Sequence, residues 1–407
     1  MAYVWSGRME DAMTTVDAPR SYPAAIPERL DPDPALADLR AQPMIRVRLP
    51  YGEPAWLATR YEDVKTVLGD PRFSRAAAAG RDEPRIRPMI PPPGNILGLD
   101  PPDHSRLRRL VTKAFTMRRI EQLRPRVQEL ADELVDGMLK AGPPSDLVAG
   151  FALPLPVAVI CELLGVPYED RGDFRYWSDA FMSTTRYPAD EVASCARAMN
   201  GYMAGLIRQR RAEPRDDLIS ALVEARDEHD KLSEDEMLSL AQAILVAGHE
   251  TTASQIPNFV YTLIHHPAQL AAMDDIPRAV EELMRFVPLG LGTGIPRYAL
   301  EDLELGGVLV RAGEPVLPSI PSANRDSAVF PGADELDLHR DQGSHVGFGH
   351  GAHHCLGAPL ARMELQVAIG TLFGRLPGLR LAEGDAGIDW KAGLSTRGPE
   401  RMLVAWD

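Results

Sequence analysis

Cys355 lies in a loop that contains three glycines and three histidines, FGHGAHHCLG at residues 348–357. A segment with the apolar spacing of a buried helix follows, and Pro359 near its start is tolerated because the first helical N–H groups have no internal partner. A cysteine immediately before a helix faces free N–H groups and the positive end of the helix dipole, and both favour the thiolate over the thiol. Since the thiolate is the form that binds metal ions, Cys355 is a candidate metal ligand.

Three interpretations of this loop compete. In the first, the cysteine is buried and inert beside a helix cap. In the second, His350, His353, His354 and Cys355 form a zinc site, but three consecutive residues hardly converge on one tetrahedral ion, and no second Cys/His cluster completes the set. In the third, one thiolate holds haem iron while the glycines let the backbone approach the porphyrin. The residue types alone leave the first and third interpretations open.

The loop resembles the haem-binding signature of the cytochrome P450 family, Phe-Gly-x-Gly-x-His-x-Cys-x-Gly, and matches it at every fixed position. The resemblance extends over nearly the whole chain. It implies that Cys355 is the proximal ligand of haem b and that His353 reaches a haem propionate. By the same match, Phe348 and Gly349 belong to the haem-binding loop, and Gly357 gives the haem clearance.

A second candidate centre, AGHETT at residues 247–252, lies inside a long helical pattern that begins with a capping box at Ser233. Glycine and threonine are poor helix formers, and a threonine hydroxyl can bond the carbonyl one turn back, so a weak helix centre is one interpretation. The resemblance implies a polar groove for dioxygen instead, with Glu250 as the acid and Thr251 as the alcohol. It also places Ala247 and Gly248 over the haem. Pro257, further along, should kink this helix.

The segment DPPDHSRLRRLVTKAF at residues 100–115 predicts a helix with two cationic faces. His104 and Arg108 share one face, and the resemblance implies that they bind the haem propionates together with Arg297. The opposite face carries Arg106, Arg109 and Lys113. That set is either an ordinary solvated face or a docking patch for an acidic ferredoxin.

The resemblance also implies roles for two further groups of residues. Glu282 and Arg285, spaced i and i+3, match a buried structural pair that Arg340 completes. The substrate pocket is expected to be lined by Leu289, Leu291, Thr293, Leu394 and Ser395. The loop at residues 182–191 corresponds to the mobile lid of the family.

The composition describes one large globular protein without nucleic-acid or membrane function. Hydrophobic residues make up 45% and charged residues 25% of the chain, and the net charge of −14 argues against a general nucleic-acid or anionic-membrane binder. Three cysteines make no disulfide framework and fit a reducing cytoplasm. No signal-peptide pattern or bilayer-spanning apolar run is apparent.

We therefore expect a single, mainly α-helical domain over residues 1–407 with small β-sheets, including an irregular N-terminal segment at 1–43. Within it, alternation of apolar and polar residues at 45–59 predicts a β-hairpin. A cytoplasmic monomer without a membrane anchor is the expected form.

The resemblance implies a haem-thiolate monooxygenase that uses O2 to hydroxylate or epoxidise a large apolar molecule. No flavin or dinucleotide fingerprint appears, so electrons are expected from a ferredoxin and its reductase. A macrolide or other polyketide is the favoured substrate, with a terpenoid or steroid as the alternative. A non-catalytic haem-thiolate sensor and a peroxide-driven enzyme are rivals, and the Glu250–Thr251 pair argues against both.

Overall fold

The computed structural model describes residues 18–23, 29–88, 94–167, 170, 172–227, 231–341 and 343–407, so parts of the N-terminal segment lie outside the described residues. The fold is mainly helical with small sheets, as predicted. None of its described helices is both long enough and apolar enough to cross a membrane. The α-helices are α1 (Ala35–Arg40), α2 (Tyr61–Gly69), α3 (Asp103–Thr112), α4 (Met117–Ala141), α5 (Pro154–Leu164), α6 (Gly172–Met182), α7 (Ala189–Ala212), α8 (Leu218–Asp227), α9 (Glu234–His265), α10 (Pro267–Ala271), α11 (Ile276–Phe286), α12 (Ile320–Ala323) and α13 (Ala358–Arg375).

Helix α9 is the longest described element, with 32 residues. Its start is fixed by the predicted capping box, in which the Ser233 side chain accepts from the Glu236 amide at 3.1 Å and the Glu236 carboxylate accepts from the Ser233 amide at 2.7 Å. The helix continues without a break through Pro257. Proline removes one helical N–H, but it does not end α9, because the flanking residues are buried and held by their neighbours.

The core is built around α9. Helices α5 and α13 both pack against it, and α13 also packs along α4. The buried contacts are aliphatic and aromatic, for example Ile160 of α5, Ile256 and Phe259 of α9 and Leu372 of α13. Each fully buried side chain of this size contributes about 1.5–3 kcal/mol relative to an exposed one, so the central helices form the most strongly held part of the fold.

Twelve described strands form three small sheets. The predicted hairpin at residues 45–59 is confirmed, because Ile45 pairs with Leu57 in an antiparallel register. The strand order is β1-β2-β3-β9-β6-β4 in the first sheet and β10-β12-β11 in the second, where β5 also pairs with β12, and β7 pairs with β8. The strands are β1 (Arg20–Ser21), β2 (Ile45–Arg48), β3 (Ala55–Ala58), β4 (Phe73–Ser74), β5 (Ser145–Asp146), β6 (Arg297–Ala299), β7 (Leu303–Leu305), β8 (Val308–Val310), β9 (Pro315–Pro318), β10 (Arg380–Leu381), β11 (Ile388–Trp390) and β12 (Pro399–Ala405).

Strands β11 and β12 are joined by residues 391–398, which we call the C-terminal loop. The loop lies against α9, where the Asn258 side-chain amide donates to the Arg397 carbonyl at 3.2 Å. Gly398 has φ +140°, and a Cβ at this position would lie 2.5 Å from Asn258 Oδ1. Glycine is therefore required for this close approach of the loop to the central helix.

The predicted structural pair is a buried ion-pair network. Arg285 of α11 lies 2.7 Å from the Glu282 carboxylate, and Arg340 Nε lies 3.1 Å from the same group. Arg285 also donates to the carbonyls of Asn324 and Ala333 at 2.8 and 2.7 Å. The network therefore ties α11 to the long irregular segment that leads into the cysteine loop.

We expect Glu282→Ala to lower the free energy of unfolding by about 3–5 kcal/mol, because it leaves two guanidinium groups buried without their counter-ion. Thermal or denaturant unfolding of the purified protein measures the loss. Asp274→Ala is the matched control, since Asp274 pairs with Arg278 at 3.0 Å on the surface, where an ion pair is worth about 0–1 kcal/mol. Equal losses in the two variants would contradict the structural role of Glu282.

Candidate functional site

The cysteine loop is a tight turn held by its own backbone. The Cys355 amide donates to the Phe348 carbonyl at 2.8 Å, and the Gly349 amide donates to the Val346 carbonyl at 2.8 Å. Gly351 has φ +70°, and a Cβ there would lie 2.5 Å from the Leu68 carbonyl oxygen. Only glycine therefore allows the loop to pack on the end of α2. This backbone arrangement presents Cys355 immediately before α13.

The thiol of Cys355 lines an interior cleft. The residue has accessible surface, yet protein surrounds it closely enough that burial is the main influence on its pKa and raises it above the usual range. The amides of Gly357 and Ala358 and the Arg108 guanidinium act in the opposite direction. The helix N-terminus thus favours the thiolate as predicted, but burial outweighs it, and a metal ion bound to the sulfur would supply the remaining stabilisation.

Two histidines from different elements, the buried His104 and the half-buried His353, meet beside this cleft. The rings of His104 in α3 and His353 in the cysteine loop have centroids 4.2 Å apart. Burial, followed by the charges of Arg297 and His104, lowers the pKa of His353 to about 3. Its Nε2 is buried without a hydrogen-bond partner. A buried polar atom of this kind calls for a partner that the polypeptide does not provide.

Arg297 of β6 is a buried cation that is bonded to backbone rather than to an acid. Its Nη1 donates to the Ile295 carbonyl at 3.1 Å. Burial, followed by the charge of Arg75, lowers the pKa of Arg297 to about 10. The nearby acids are already engaged, since Asp100 accepts from the Arg75 amide at 2.8 Å and Glu83 pairs with the Arg75 guanidinium. The positive charge of Arg297 is therefore not balanced by a directly bonded acid.

Arg108 reaches the cysteine loop from α3, where its Nη2 donates to the His354 carbonyl at 2.6 Å. Burial lowers the pKa of its guanidinium. Together with Arg297 and the two histidine rings, whose pKa values burial lowers, it supplies hydrogen-bond donors and positive charge for an anionic group. The propionates of haem b are anions of the required kind, so the residues present fit this cofactor.

The same loop does not form a zinc site. Among the described residues, no group of three or more His, Cys, Asp or Glu side chains is arranged to hold a metal ion. The four residues of the zinc interpretation, His350, His353, His354 and Cys355, are all described. The zinc interpretation is therefore wrong for this loop.

The middle of α9 borders a cleft on one face only. Ala247 is exposed although its neighbours Val246 and His249 are buried. The Thr251 hydroxyl donates to the Ala247 carbonyl at 2.9 Å, which confirms the predicted bond to the preceding turn. Gly248 has a different environment, because a Cβ there would lie 2.5 Å from Ile160 Cδ1. This glycine allows α9 and α5 to pack closely, and its expected contact with the haem stays a prediction.

Glu250 is held by the C-terminal loop. Lys391 Nζ lies 2.7 Å from Glu250 Oε1, and the Thr396 hydroxyl donates to the same oxygen at 3.0 Å. The Ser254 hydroxyl donates to it at 3.3 Å. Burial alone raises the pKa of Glu250, but the Lys391 ammonium and the Thr396 hydroxyl outweigh it, so the pKa lies below the usual range. Glu250 is therefore a buried carboxylate with a buried counter-ion.

Comparison with known proteins identifies the architecture that this site belongs to. The family model described as Cytochrome P450 matches residues 175–275 and 268–376. Mycinamicin IV hydroxylase/epoxidase of Micromonospora griseorubida is 55% identical over 399 residues, which cover 97% of this chain and 100% of that protein. The chain belongs to the cytochrome P450 family.

Other similar proteins show how broad the chemistry of close P450 relatives is. Nocardicin C N-oxygenase of Nocardia uniformis subsp. tsuyamanensis is 52% identical over 400 residues, covering 97% of this chain and 100% of that protein. The crystal structure of a mutant of the mixed-function P450 MycG in complex with mycinamicin IV has a TM-score of 0.88 at 55% identity, and covers 96% of this chain and 100% of that chain. This P450 is accordingly a haem-thiolate monooxygenase, and its mainly helical fold is confirmed.

Two segments of this P450 expected to line the substrate pocket are adjacent in space. Gly290 forms a bridge with Thr396, and the Arg397 amide donates to the Leu289 carbonyl at 2.8 Å. The five predicted lining residues, half-buried or buried, lie in these two segments and are Leu289, Leu291, Thr293, Leu394 and Ser395. Their contact with substrate stays a prediction.

One residue of the predicted partner patch of this P450 is already paired within the protein. The Arg106 guanidinium donates to the Glu236 carboxylate at 2.5 Å and to the Lys231 carbonyl at 2.7 Å. Its side chain is nevertheless 37% exposed, and its part in the patch stays a prediction. Arg109 and Lys113 are exposed on the edge of a groove of about 1330 Å³ lined by residues of α3 and α8.

Sequence reasoning missed Lys391, which is the main partner of Glu250. The two residues are separated by 141 positions, and no spacing rule connects a lysine in a terminal loop to the centre of a helix. A weak signal was present, because Lys391 is the sole cationic residue between Asp389 and Ser395. A lysine in a mostly apolar segment that folds onto the core needs a buried partner.

We expect Arg297→Leu to change the haem-free and haem-bound proteins in opposite directions. Removing a buried, uncompensated cation should raise the unfolding temperature of the apoprotein. Loss of a charge-assisted hydrogen bond of about 1.5–3 kcal/mol should speed haem loss from the holoprotein by about 10-fold to 100-fold. Calorimetry of the apoprotein and haem transfer to apomyoglobin measure the two effects.

Arg72→Leu serves as the control, because Arg72 is a largely exposed arginine paired with Asp70. It should leave the rate of haem loss unchanged. If Arg297→Leu retained haem as long as the parent protein, Arg297 would have no part in holding the cofactor.

Proposed function

We propose that this P450 hydroxylates or epoxidises a macrolide or other polyketide. The observation that carries the proposal is its 55% identity, over 97% of this chain and 100% of the other protein, to mycinamicin IV hydroxylase/epoxidase. The apolar character of Leu289, Leu291 and Leu394 at the expected pocket supports a large, mostly apolar substrate. A terpenoid or steroid is the alternative that the test below separates.

The residues of the chain divide the task of holding haem b. Cys355 would supply the thiolate ligand, from a loop kept in place by the backbone of Phe348 and Gly349, while Gly357 leaves room beside it. His104, Arg108, Arg297 and His353 would hold the propionates, since the buried His353 Nε2 has no hydrogen-bond partner and Arg297 is bonded to backbone rather than to an acid. When bound, the haem supplies the iron at which dioxygen is reduced and cleaved.

The middle of α9 manages protons on the opposite side of the cleft. Because the Thr251 hydroxyl donates to the Ala247 carbonyl, its oxygen lone pairs are left to accept a hydrogen bond from water in the groove. Glu250 is the acid that exchanges protons with this groove, and its ion pair with Lys391 keeps it charged at rest. Proton delivery therefore requires that the Glu250 carboxylate loosen its hold on Lys391.

Electrons come from separate proteins, for which a ferredoxin and a ferredoxin reductase are the proposed donors. The exposed charges of Arg109 and Lys113 on an otherwise acidic protein would steer an acidic ferredoxin to α3. In this proposal the enzyme works in the cytoplasm as a monomer of one domain.

The substrate proposal is tested by spectral titration of the haem-loaded enzyme. We expect mycinamicin IV or a related macrolide to give a type I shift with a Kd in the micromolar range, about −8 kcal/mol. Reconstitution with a plant-type ferredoxin, its reductase and NADPH should then convert the macrolide to a product heavier by one oxygen atom. A type I shift and turnover with a steroid or terpenoid, and none with any macrolide, would overturn the proposal.

A matched pair of variants locates the pocket in the same titration. Leu289→Trp should weaken macrolide binding by at least about tenfold, because it fills space that the substrate needs. Leu309→Trp adds the same bulk to an exposed position in β8 and should leave binding unchanged.

The partner surface is tested by charge reversal. Arg109→Glu with Lys113→Glu should slow reduction by a plant-type ferredoxin about tenfold at low salt, and the difference should disappear as salt screens the charges. Stopped-flow reduction under CO measures the rate. Arg197→Glu with Arg208→Glu makes the same change in net charge at exposed positions of α7 and is the control. Equal slowing in both variants would show a general charge effect rather than a docking site.

A further inference from the structure

The C-terminal loop is bonded to the loop that follows α6, residues 183–188, which we call the lid loop. The backbone amides of Thr184, Thr185 and Arg186 all donate to the Gly393 carbonyl, at 2.7, 3.2 and 3.2 Å. In return the Ser395 amide donates to the Met182 carbonyl at 2.9 Å. The lid loop and the last residue of α6 are therefore anchored to this segment by four main-chain bonds, three of them from the lid loop itself.

Side chains and backbone geometry strengthen this anchor. Arg186 Nη1 donates to Glu400 Oε2 at 3.0 Å, and Ser183 forms a bridge with Leu394. Gly393 has φ +68°, and a Cβ there would lie 2.8 Å from the Arg186 amide nitrogen. Glycine is thus the residue that lets the two loops meet at this distance.

The same short loop holds the carboxylate of Glu250. Lys391 and Thr396 bond one carboxylate oxygen of Glu250 from either side of the turn at Gly393. Lys391 Nζ also donates to the Ser254 hydroxyl at 2.9 Å. The Lys391 amide donates to the Gly398 carbonyl at 2.9 Å, and Asn258 of α9 donates to the Arg397 carbonyl, so the two ends of the loop are held together. The turn at Gly393 and the Lys391 side chain therefore belong to one hydrogen-bonded unit.

A second carboxylate stands close to this pair. Asp179 of α6 is buried, and burial, followed by the charge of Glu250, raises its pKa, while Lys391 lowers it. Asp179 thus adds a second negative charge near Lys391, in the helix that runs directly into the lid loop. The contacts that carry the coupling lie in one short loop, where the Gly393 carbonyl accepts from the lid-loop amides and Lys391 bonds Glu250.

We propose that Lys391 is a positioning residue that couples docking of the lid loop to the position and charge of Glu250. With the lid loop bonded to Gly393, Lys391 holds Glu250 as a carboxylate turned away from Thr251. When the lid loop leaves Gly393, the C-terminal loop shifts, the bond between Lys391 and Glu250 weakens, and Glu250 is freed. By linkage the effect is reciprocal, so breaking the Glu250–Lys391 pair weakens the docking of the lid loop. The catalytic consequence rests on the proposed role of Glu250 as the acid.

Hydrogen–deuterium exchange of the haem-loaded enzyme without substrate tests the coupling. Lys391→Met keeps the side-chain bulk and removes the charge, and should speed exchange of the Thr184, Thr185 and Arg186 amides at least about fivefold. Glu250→Gln should do the same, and the double variant should exceed neither, because both changes break one interaction. Unchanged exchange at these amides in the folded Lys391→Met protein would overturn the proposal.

Three further variants separate coupling from ordinary packing. Lys391→Arg restores the charge and should return exchange toward the parent rate, whereas a packing role would already be satisfied by methionine. Thr396→Val removes one bond to Glu250 while keeping the shape, and should give a smaller increase if Lys391→Met does not fold. Arg401→Ala breaks an exposed pair with Asp389 in the same hairpin and should leave the lid-loop amides unchanged. An equal increase from Arg401→Ala would mean simple fraying of the hairpin and would refute coupling.

These exchange rates require neither substrate nor turnover. Failure of the coupling would therefore leave the substrate proposal untouched. Conversely, finding a different substrate would leave the exchange result standing.

Discussion

The organisation of this P450 depends on an unbalanced charge at its centre. His104, His353 and Arg297 surround a cleft with buried donors that have no acid of their own, and burial opposes every charged form, lowering the pKa of His353 to about 3. Across the same region, burial raises the pKa of the Cys355 thiol. The site therefore has buried donors without an anionic partner and a thiol without a cationic partner. A single group that is negatively charged at its edge and carries a metal ion at its centre would complete it.

Helix α9 can present different residues to different neighbours, because successive side chains on a helix point about 100° apart. Ala247 and Thr251, one turn apart, share the face on the cleft, and the bond between them keeps the threonine oxygen available. Gly248 points toward α5, where any larger residue would collide with Ile160. Glu250 points away from both, into the C-terminal loop. One helix therefore carries the oxygen-side surface, the close packing and the acid on separate faces.

How well each interaction could be predicted from the sequence depends on how far apart its two residues lie along the chain. The capping box at Ser233, the Thr251 bond to Ala247 and the hairpin of β2 and β3 were predictable because their partners lie within a few residues. The family signature extended this to distant partners such as Glu282 and Arg340. It did not reveal that Lys391 holds Glu250 or that Glu236 holds Arg106, since neither pair follows a spacing rule. The direction of the net shift in the pKa of Cys355 could not be predicted from the sequence for another reason. The sequence indicates the local helix dipole, but it does not indicate how deeply the thiol is buried.

The C-terminal loop joins two requirements that enzymes usually keep apart. Its Leu394 and Ser395 lie in the wall that is expected to contact substrate. Its Lys391 and Thr396 donate hydrogen bonds to the carboxylate of Glu250. Close relatives carry out different oxidations, an epoxidation or hydroxylation in one and an N-oxygenation in another, at 55% and 52% identity. In a loop this short, a substitution that reshapes the expected pocket also shifts Lys391, which bonds Glu250. Under the proposed role of Glu250 as the acid, a change of substrate is constrained by proton delivery, and a pocket redesigned at Leu394 without regard to Lys391 should bind a new substrate while losing oxygen coupling.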